Sequence, residues 1–192
     1  DEGEPVDEGS DPGSVDAGPD PCDPSLALLP YEAHTNSYTL TNFTATGGTG
    51  AYRYEIAGNA STSYIDPLTG SYLAGPNTGV EDLVRVVDQG CAGFADARVH
   101  IHENMVVAPT NLEIGISSSF TFSITSGSGL YDAEADSESG GYFTSGGGQF
   151  TYHSGAWSGT DLIEIRDVGT GEVVTVVVYV VENPEFSLDP NT

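Results

Sequence analysis

The chain has 192 residues, enough for one or two small domains. Four residues are Lys or Arg and 29 are Asp or Glu, which gives a formal net charge of −25 at pH 7. Nucleic-acid phosphates repel such a polyanion, so the composition argues against DNA and RNA as partners. No stretch approaches the roughly 20 apolar residues that cross a bilayer, so the sequence predicts no membrane span.

The first segment, residues 1–23, consists almost entirely of Asp, Glu, Gly, Pro and Ser. It has too few apolar side chains to offset the entropy of ordering, so we expect an extended, flexible stalk. The segment resembles the spacers that follow the lipid-bearing cysteine in surface lipoproteins of some Gram-negative bacteria. That resemblance leaves open a lipid anchor upstream of the chain.

From residue 24 the sequence repeats itself. Phe43 corresponds to Phe122 and Asp82 to Asp161, both at an offset of 79 positions. After one deletion near residue 140, Tyr64 matches Tyr142, and Gly70-Ser71-Tyr72 matches Gly148-Gln149-Phe150. Such a register predicts two copies of one unit, at 24–103 and 104–183.

Each copy combines short alternating strands with Gly-rich turns, and Gly, Ser, Thr, Val and Tyr are abundant. In the first copy the predicted strands are 26–30, 37–46, 51–57, 62–66, 70–74, 82–88 and 94–102. About seven strands in about 80 residues are typical of a β-sandwich. Alternation places Val84 and Val86 in the core. Asp88 and Asp167 end their strands just before a Gly-containing turn, where we expect them to cap turn amides.

Glycine-rich turns and an Asp-started strand carry a family resemblance. The run Gly47-Gly48-Thr49-Gly50 precedes an aromatic strand, Thr69–Gly75 forms a second turn and strand, and an apolar strand ends at Asp88. Together these resemble the immunoglobulin-like and cadherin-like repeats of bacterial surface proteins, over residues 24–183. The resemblance implies an all-β chain of two tandem immunoglobulin-like sandwiches and an extracellular spacer, adhesive or fibre role. It implies no catalytic residues, and we therefore expect no enzyme activity.

The cadherin-like side of the resemblance raises the question of calcium. The repeats end in Glu103-Asn104 and Glu182-Asn183, which match only part of the acidic motif. With Asp167 from a nearby loop, Glu103 and Asn104 would give a calcium site at the joint between the repeats. A solvated acidic surface explains the same residues, and no other cofactor is predicted.

Two cysteines, Cys22 and Cys91, fit no metal-ligand spacing, and an even pair in an exported protein indicates a disulfide. In an immunoglobulin-like sandwich the segment before the first strand and the turn between the last two strands lie at the same end. The resemblance therefore implies a bridge that ties the stalk to the first repeat.

Histidine offers two further candidate sites. His100 and His102 lie on one face of a predicted strand beside Glu103, but the sequence presents no third ligand, so exposed side chains are the favoured interpretation. His153 beside Ser154 has no nucleophile-elbow pattern around it, which argues against a hydrolase.

The last strand of the second repeat is apolar on both faces. Val174, Val176, Val178 and Val180 match the core face of the first repeat. The opposite face consists of Val173, Thr175, Val177, Tyr179 and Val181. It is either an interaction surface or the product of simple β-propensity.

A third opening strand follows the second repeat. Leu26–Pro30 and Met105–Pro109 are apolar runs ending in Pro, and residues 184–192 repeat this pattern with Phe186 and Leu188. The segment either begins a further repeat or is donated to a neighbouring chain, which would build a filament.

The predicted function is thus a non-enzymatic structural or adhesive element of a bacterial cell surface, with self-association or neighbouring repeats as partners. An accessory carbohydrate-binding module of a larger secreted protein is the alternative, because Tyr residues and Trp157 could form an aromatic binding face.

Overall fold

A computed structural model describes residues 25–146 and 149–182, and within these ranges the chain forms strands and turns without a helix. Accordingly, no described segment is a helix long and apolar enough to cross a bilayer. The predicted stalk at 1–23, Cys22, and the tail at 184–192 with Phe186 and Leu188 lie outside the described residues.

Residues 25–102 form the first repeat. Its strands are β1 (Ala27–Leu29), β2 (Glu32–Asn36), β3 (Leu40–Asn42), β4 (Thr44–Thr46), β5 (Tyr52–Gly58), β6 (Tyr64–Ile65), β7 (Ser71–Leu73), β8 (Val80–Asp88) and β9 (Phe94–His102). One sheet has the order β2-β9-β8-β5, and the other layer consists of β3-β7-β6 with the short pair β1-β4. Neighbouring strands are antiparallel except for β2 and β9, which pair in parallel.

The second repeat has the same plan. Its strands are β10 (Val106–Ala108), β11 (Asn111–Gly115), β12 (Ser119–Thr125), β13 (Tyr131–Ser137), β14 (Tyr142–Gly146), β15 (Gln149–His153), β16 (Gly159–Asp167) and β17 (Val173–Val181). The sheets are β11-β17-β16-β13 and β10-β12-β15-β14, and β11 again pairs in parallel with the last strand. β12 is continuous where the first repeat divides its strand into β3 and β4 around Phe43.

Each repeat has its own core, built from the inward positions of its strands. Val84 and Val86 are fully buried, as the alternation predicted, and Phe43 and Tyr72 pack edge to face from the other sheet. The corresponding buried residues of the second repeat are Ile163, Ile165, Phe122 and Tyr152. The all-β sandwich fold is therefore confirmed, whereas the end points of the two units stay predictions.

The structure corrects the sequence alignment at one place. Thr41 pairs with Tyr72 in the first repeat, and Phe120 pairs with Tyr152 in the second. Tyr72 is therefore equivalent to Tyr152, so matching it with Phe150 was wrong by two residues. β15 carries aromatic residues at two alternate positions, Phe150 and Tyr152, so either register matches Tyr72 with an aromatic residue.

Candidate functional site

A buried carboxylate organises each sandwich. Asp82 is fully buried at 0% exposure and accepts hydrogen bonds from the hydroxyls of Tyr72 (2.6 Å), Ser61 (2.5 Å) and Ser63 (2.7 Å). Asp161 repeats the arrangement in the second repeat, with Tyr152, Ser139 and Ser137 as its hydroxyl donors. Tyr72 and Tyr152 belong to the sheets opposite Asp82 and Asp161, so these networks tie the two sheets of each repeat together.

The protonation of these groups follows from their surroundings. Burial acts to raise the pKa of Asp82, but hydrogen bonds from Ser61, Ser63 and Tyr72 outweigh it and lower the pKa. Burial, together with the neighbouring carboxylate, raises the pKa of Tyr72 to about 12. The tyrosine therefore stays a hydrogen-bond donor and the aspartate stays charged at neutral pH.

Asp88 and Asp167 cap turns, as predicted. Asp88 accepts from the amides of Thr49 (2.5 Å), Gly90 (2.8 Å) and Cys91 (3.3 Å). Gly48 approaches so closely that a Cβ there would lie 2.0 Å from the Asp88 carboxylate, which explains the conserved spacing of glycines between the two copies. Cys91 lies in the expected turn, but Cys22 lies outside the described residues, so the disulfide stays a prediction.

Of the proposed calcium ligands, Asp167 is the most constrained. Its carboxylate accepts from the amides of Ser128 (2.6 Å), Gly169 (3.0 Å) and Thr170 (3.2 Å), and also from the Ser128 hydroxyl. These bonds occupy both carboxylate oxygens and hold the pKa of Asp167 below its ordinary value against the effect of burial.

The other two proposed ligands lie at the joint between the repeats. Glu103 accepts a hydrogen bond from the Ser126 hydroxyl at 3.1 Å, and Asn104 is exposed. The geometry thus favours the capping role of Asp167 over a ligand role, and calcium at this joint stays a prediction.

Glu172 connects the two repeats and was not predicted. Its Oε2 accepts from the side-chain amide of Asn36 in the first repeat at 2.9 Å and from the backbone N–H of Met105 at 2.7 Å. Asn36 Oδ1 is buried there without a hydrogen-bond partner among the described residues. The local sequence gave no signal for this contact because Asn36 and Glu172 are far apart in the chain.

Three of the four histidines gather on the outward face of the first repeat. His34 lies opposite His100 in the β2–β9 ladder, and His100 lies opposite Glu81 in the β8–β9 ladder. His102 follows on the same face of β9, and Glu32 lies on the same face of β2. His34 stacks on His100 and on His102, with ring centroids 4.7 and 5.2 Å apart.

Within this histidine cluster the ring nitrogens face one another and two carboxylates. His100 Nε2 lies 3.0 Å from Glu32 Oε1, and His34 Nε2 lies 3.9 Å from the same oxygen. His34 Nδ1 lies 2.9 Å from His102 Nε2, and His100 Nδ1 lies 3.6 Å from Glu81 Oε2. His34 was not among the predicted candidates because β2 was not predicted as a strand.

Electrostatics around the histidine cluster favour neutral imidazole at His102. Partial burial lowers the pKa of His102, and the nearby His34 lowers it further, whereas Asp167 raises it. Arg98 also lies beside the cluster and pairs with Glu81 at 3.0 Å.

His153 is arranged differently from a catalytic base. Its two ring nitrogens lie 2.7 Å from the Ser119 hydroxyl and 2.9 Å from the Thr144 hydroxyl. The neighbouring Ser154 hydroxyl instead donates to the carbonyl of Gly115 at 2.7 Å. His153 therefore contacts Ser119 and Thr144, and the Ser154 hydroxyl bonds to a backbone carbonyl.

The outer face of β17 has the predicted apolar character. Its inward residues Val176, Val178 and Val180 are buried. Outward, Val173, Tyr179 and Val181 are 38–48% exposed, and half-buried Val177 pairs with exposed Leu162 of β16. Thr175, also outward, is exposed. A role of this face in interaction stays a prediction.

Comparison with known proteins identifies the fold. No protein-family model and no curated protein matches the chain. A C-terminal fragment of intimin, solved with the intimin-binding domain of its receptor Tir, is similar with a TM-score of 0.52 and 13% identity, covering 83% of this chain and 63% of the fragment. The S-layer protein SbsC, domains 4 and 5, matches with a TM-score of 0.36 and 17% identity, covering 81% of this chain and 97% of that one. The similarity to the intimin fragment shows the fold alone, which is an all-β chain of tandem immunoglobulin-like sandwiches.

Proposed function

We propose that the chain is a non-enzymatic spacer or adhesive element of an extracellular, bacterial-surface protein. The observation that carries this proposal is that a strand near the start of each repeat pairs in parallel with the last strand of the same repeat. In the first repeat β2 pairs with β9 from Glu32–Arg98 to Asn36–His102, and in the second β11 pairs with β17 from Asn111–Val177 to Gly115–Val181.

This topology suits a segment under tension. β2 lies near the start of its repeat and β9 at its end, so tension along the chain pulls the two parallel strands in opposite directions. The strands would then have to slide past each other, and all hydrogen bonds of the ladder resist together. In a hairpin pulled from its open end, the bonds would break one after another.

Direct contact between the repeats supports the same role. Glu172 joins Asn36 to the start of the second repeat, so a pull passes from one ladder to the next through a bonded joint. The net charge of −25 would keep such a surface hydrated and limit unspecific association.

Single-molecule pulling of the full chain tests the proposal. Tyr31 O accepts from Arg98 N at 3.0 Å, so alternation makes Ala33 N–H the next donor from β2 to β9. We expect Ala33→Pro, which removes that donor, to lower the unfolding force of the first repeat. Ala33→Ser keeps the N–H and should leave the force unchanged, and the second repeat serves as an internal standard.

Equal unfolding forces for wild type and Ala33→Pro would contradict a spacer whose strength lies in this ladder. A strong signal on a glycan array would instead favour the carbohydrate-binding alternative. One observation favours that alternative. Tyr142 is 59% exposed and stacks on His153 with ring centroids 4.8 Å apart. Aromatic residues that bind sugars are often exposed in this way.

We further propose that the element assembles with copies of itself, either through the outer face of β17 or by donating residues 184–192. Support comes from the opening strands. β1 pairs with β4 and β10 with β12, after which Pro30 and Pro109 end the pairing and the chain passes to the other sheet. Residues 184–192 repeat that sequence pattern and could fill the same position in a neighbouring chain.

A further inference from the structure

The outward face of β2, β9 and β8 brings together side chains that the spacer role does not use. Glu81, His100 and His34 form one row across the three strands, with Glu32 and His102 on either side of it. Three stacked imidazoles and two carboxylates on one open sheet face form the characteristic donor set of a metal site.

Three side chains place ligand atoms close together. Oxygen or nitrogen atoms of Glu32, His34 and His100 all lie within 4.8 Å of one another. Glu32 Oε1 lies 3.0 Å from His100 Nε2 and 3.9 Å from His34 Nε2. Zinc bonds of about 2.0–2.2 Å place the ligand atoms of a tetrahedral site about 3.4 Å apart. The two spacings from Glu32 lie on either side of that value, and the exposed side chains of Glu32 and His34 can rotate to bring the two histidine nitrogens to a shared ion.

From this geometry we propose that Glu32, His34 and His100 bind a divalent transition-metal ion of the zinc class. Two imidazoles and one carboxylate leave at least one coordination position open to solvent, since these side chains lie on an exposed face. Imidazole nitrogen binds zinc, copper and nickel in preference to calcium, because calcium prefers oxygen ligands. The ion is thus distinct from the calcium considered at the joint.

The other two side chains of this group, His102 and Glu81, position the ligands. Metal-binding histidines characteristically engage their second ring nitrogen with a partner that fixes the ring. Here His34 Nδ1 faces His102 Nε2 at 2.9 Å, and His100 Nδ1 faces Glu81 Oε2 at 3.6 Å. Both proposed histidine ligands therefore have a partner on the side away from the metal.

Isothermal titration of the full chain with ZnCl₂, and separately with CaCl₂, tests the proposal. Physiological salt screens unspecific binding to the acidic surface. We expect one Zn²⁺ per chain, with affinity lowered at least about tenfold in His34→Ala and in His100→Ala. His153→Ala removes the histidine of the second repeat and should bind zinc as wild type does. Calcium binding should be equal in all four proteins.

A positioning role for His102 has its own readout. His102→Ala should weaken zinc binding about 10–100-fold without changing the stoichiometry. His102→Gln, whose amide can still bond to His34 Nδ1, should restore most of the affinity. Loss of affinity in both variants would make His102 a ligand instead, which would overturn the assignment of roles.

The proposal is overturned if wild type shows no zinc-specific binding, or if His34→Ala and His100→Ala bind zinc as tightly as His153→Ala. Urea unfolding of each variant in the absence of metal separates loss of the site from loss of the fold. Because the ladder of β2 and β9 does not depend on the metal, pulling experiments without zinc still test the spacer function independently.

Discussion

Asp82 and Asp161 illustrate how single residues hold each sandwich. In both repeats a charged group without solvent exposure is tolerated because hydroxyls of one tyrosine and two serines surround it. A carboxylate of this kind is costly to bury, and the cost is offset only while each donor remains. The two networks therefore make the fold sensitive to the loss of one oxygen atom.

Tyr72→Phe measures that sensitivity. We expect the variant to lose about 1.5–3 kcal/mol of unfolding free energy at pH 7, since a hydrogen bond to a charged, buried acceptor disappears. Tyr64→Phe alters an exposed tyrosine and should change stability by less than about 0.5 kcal/mol. Urea unfolding followed by circular dichroism gives both values, and similar losses in the two variants would refute the role assigned to the Tyr72 hydroxyl.

At this scale the sequence predicted the turn caps but not the buried networks. Asp88 and Asp167 precede glycine-containing turns, and this local pattern by itself indicates a side chain that caps turn amides. Asp82 instead begins an apolar strand, where alternation puts it on the same face as Val84 and Val86 but no local pattern names partners for its charge. Its partners lie 10 to 21 residues away, on β7 and in the loop before β6, so only the fold reveals the network.

Among the elements, the strands with strict alternation were predictable and β2 and β11 were not. Glu32–Asn36 contains one apolar residue, Ala33, and carries no period-two signal. What makes this segment a strand is its ladder with β9, a contact between residues 66 apart that no local window contains. Missing β2 also concealed His34, the third member of the histidine cluster.

The outer face of β17 gives the prediction at the element scale. Val177→Lys places a charge between Leu162 and Asn111 on neighbouring strands, on the half-buried outward side. We expect the variant to fold, because the inward valines are unchanged, and to lose self-association. Sedimentation velocity of wild type, Val177→Lys and a chain lacking residues 184–192 shows which surface is responsible.

Thr175→Lys is the matched control, since it adds the same charge to an exposed, polar position of the same strand. Assembly that survives both Val177→Lys and the deletion would argue against either surface. A monomeric wild type would remove self-association from the proposed function and leave the spacer role intact.

The whole molecule depends on how the two repeats are joined. Sequence repetition predicted the two sandwiches, but the joint uses residues that differ between the copies: Asn36 from the first and Glu172 from the second. Asn36 lies opposite His102 in the β2–β9 ladder, so the histidine cluster lies next to this joint. A metal ion bound there would add a constraint close to the contact between the repeats.

Glu172→Ala isolates the contribution of the joint. The variant leaves the Asn36 amide and the Met105 N–H without their acceptor, and hydrogen bonds to a charged group contribute about 1.5–3 kcal/mol each. Neither hydrogen bond belongs to a sheet ladder, so we expect each repeat to keep its fold while the orientation between the repeats becomes variable. Residual dipolar couplings of the full chain should fit one alignment tensor for wild type and two for the variant. Glu134→Ala removes the same charge from an exposed position of β13 and should behave as wild type. If Glu172→Ala also keeps a single tensor, the carboxylate is not what orients the repeats, and transmission of tension through this joint would have to rely on the backbone alone.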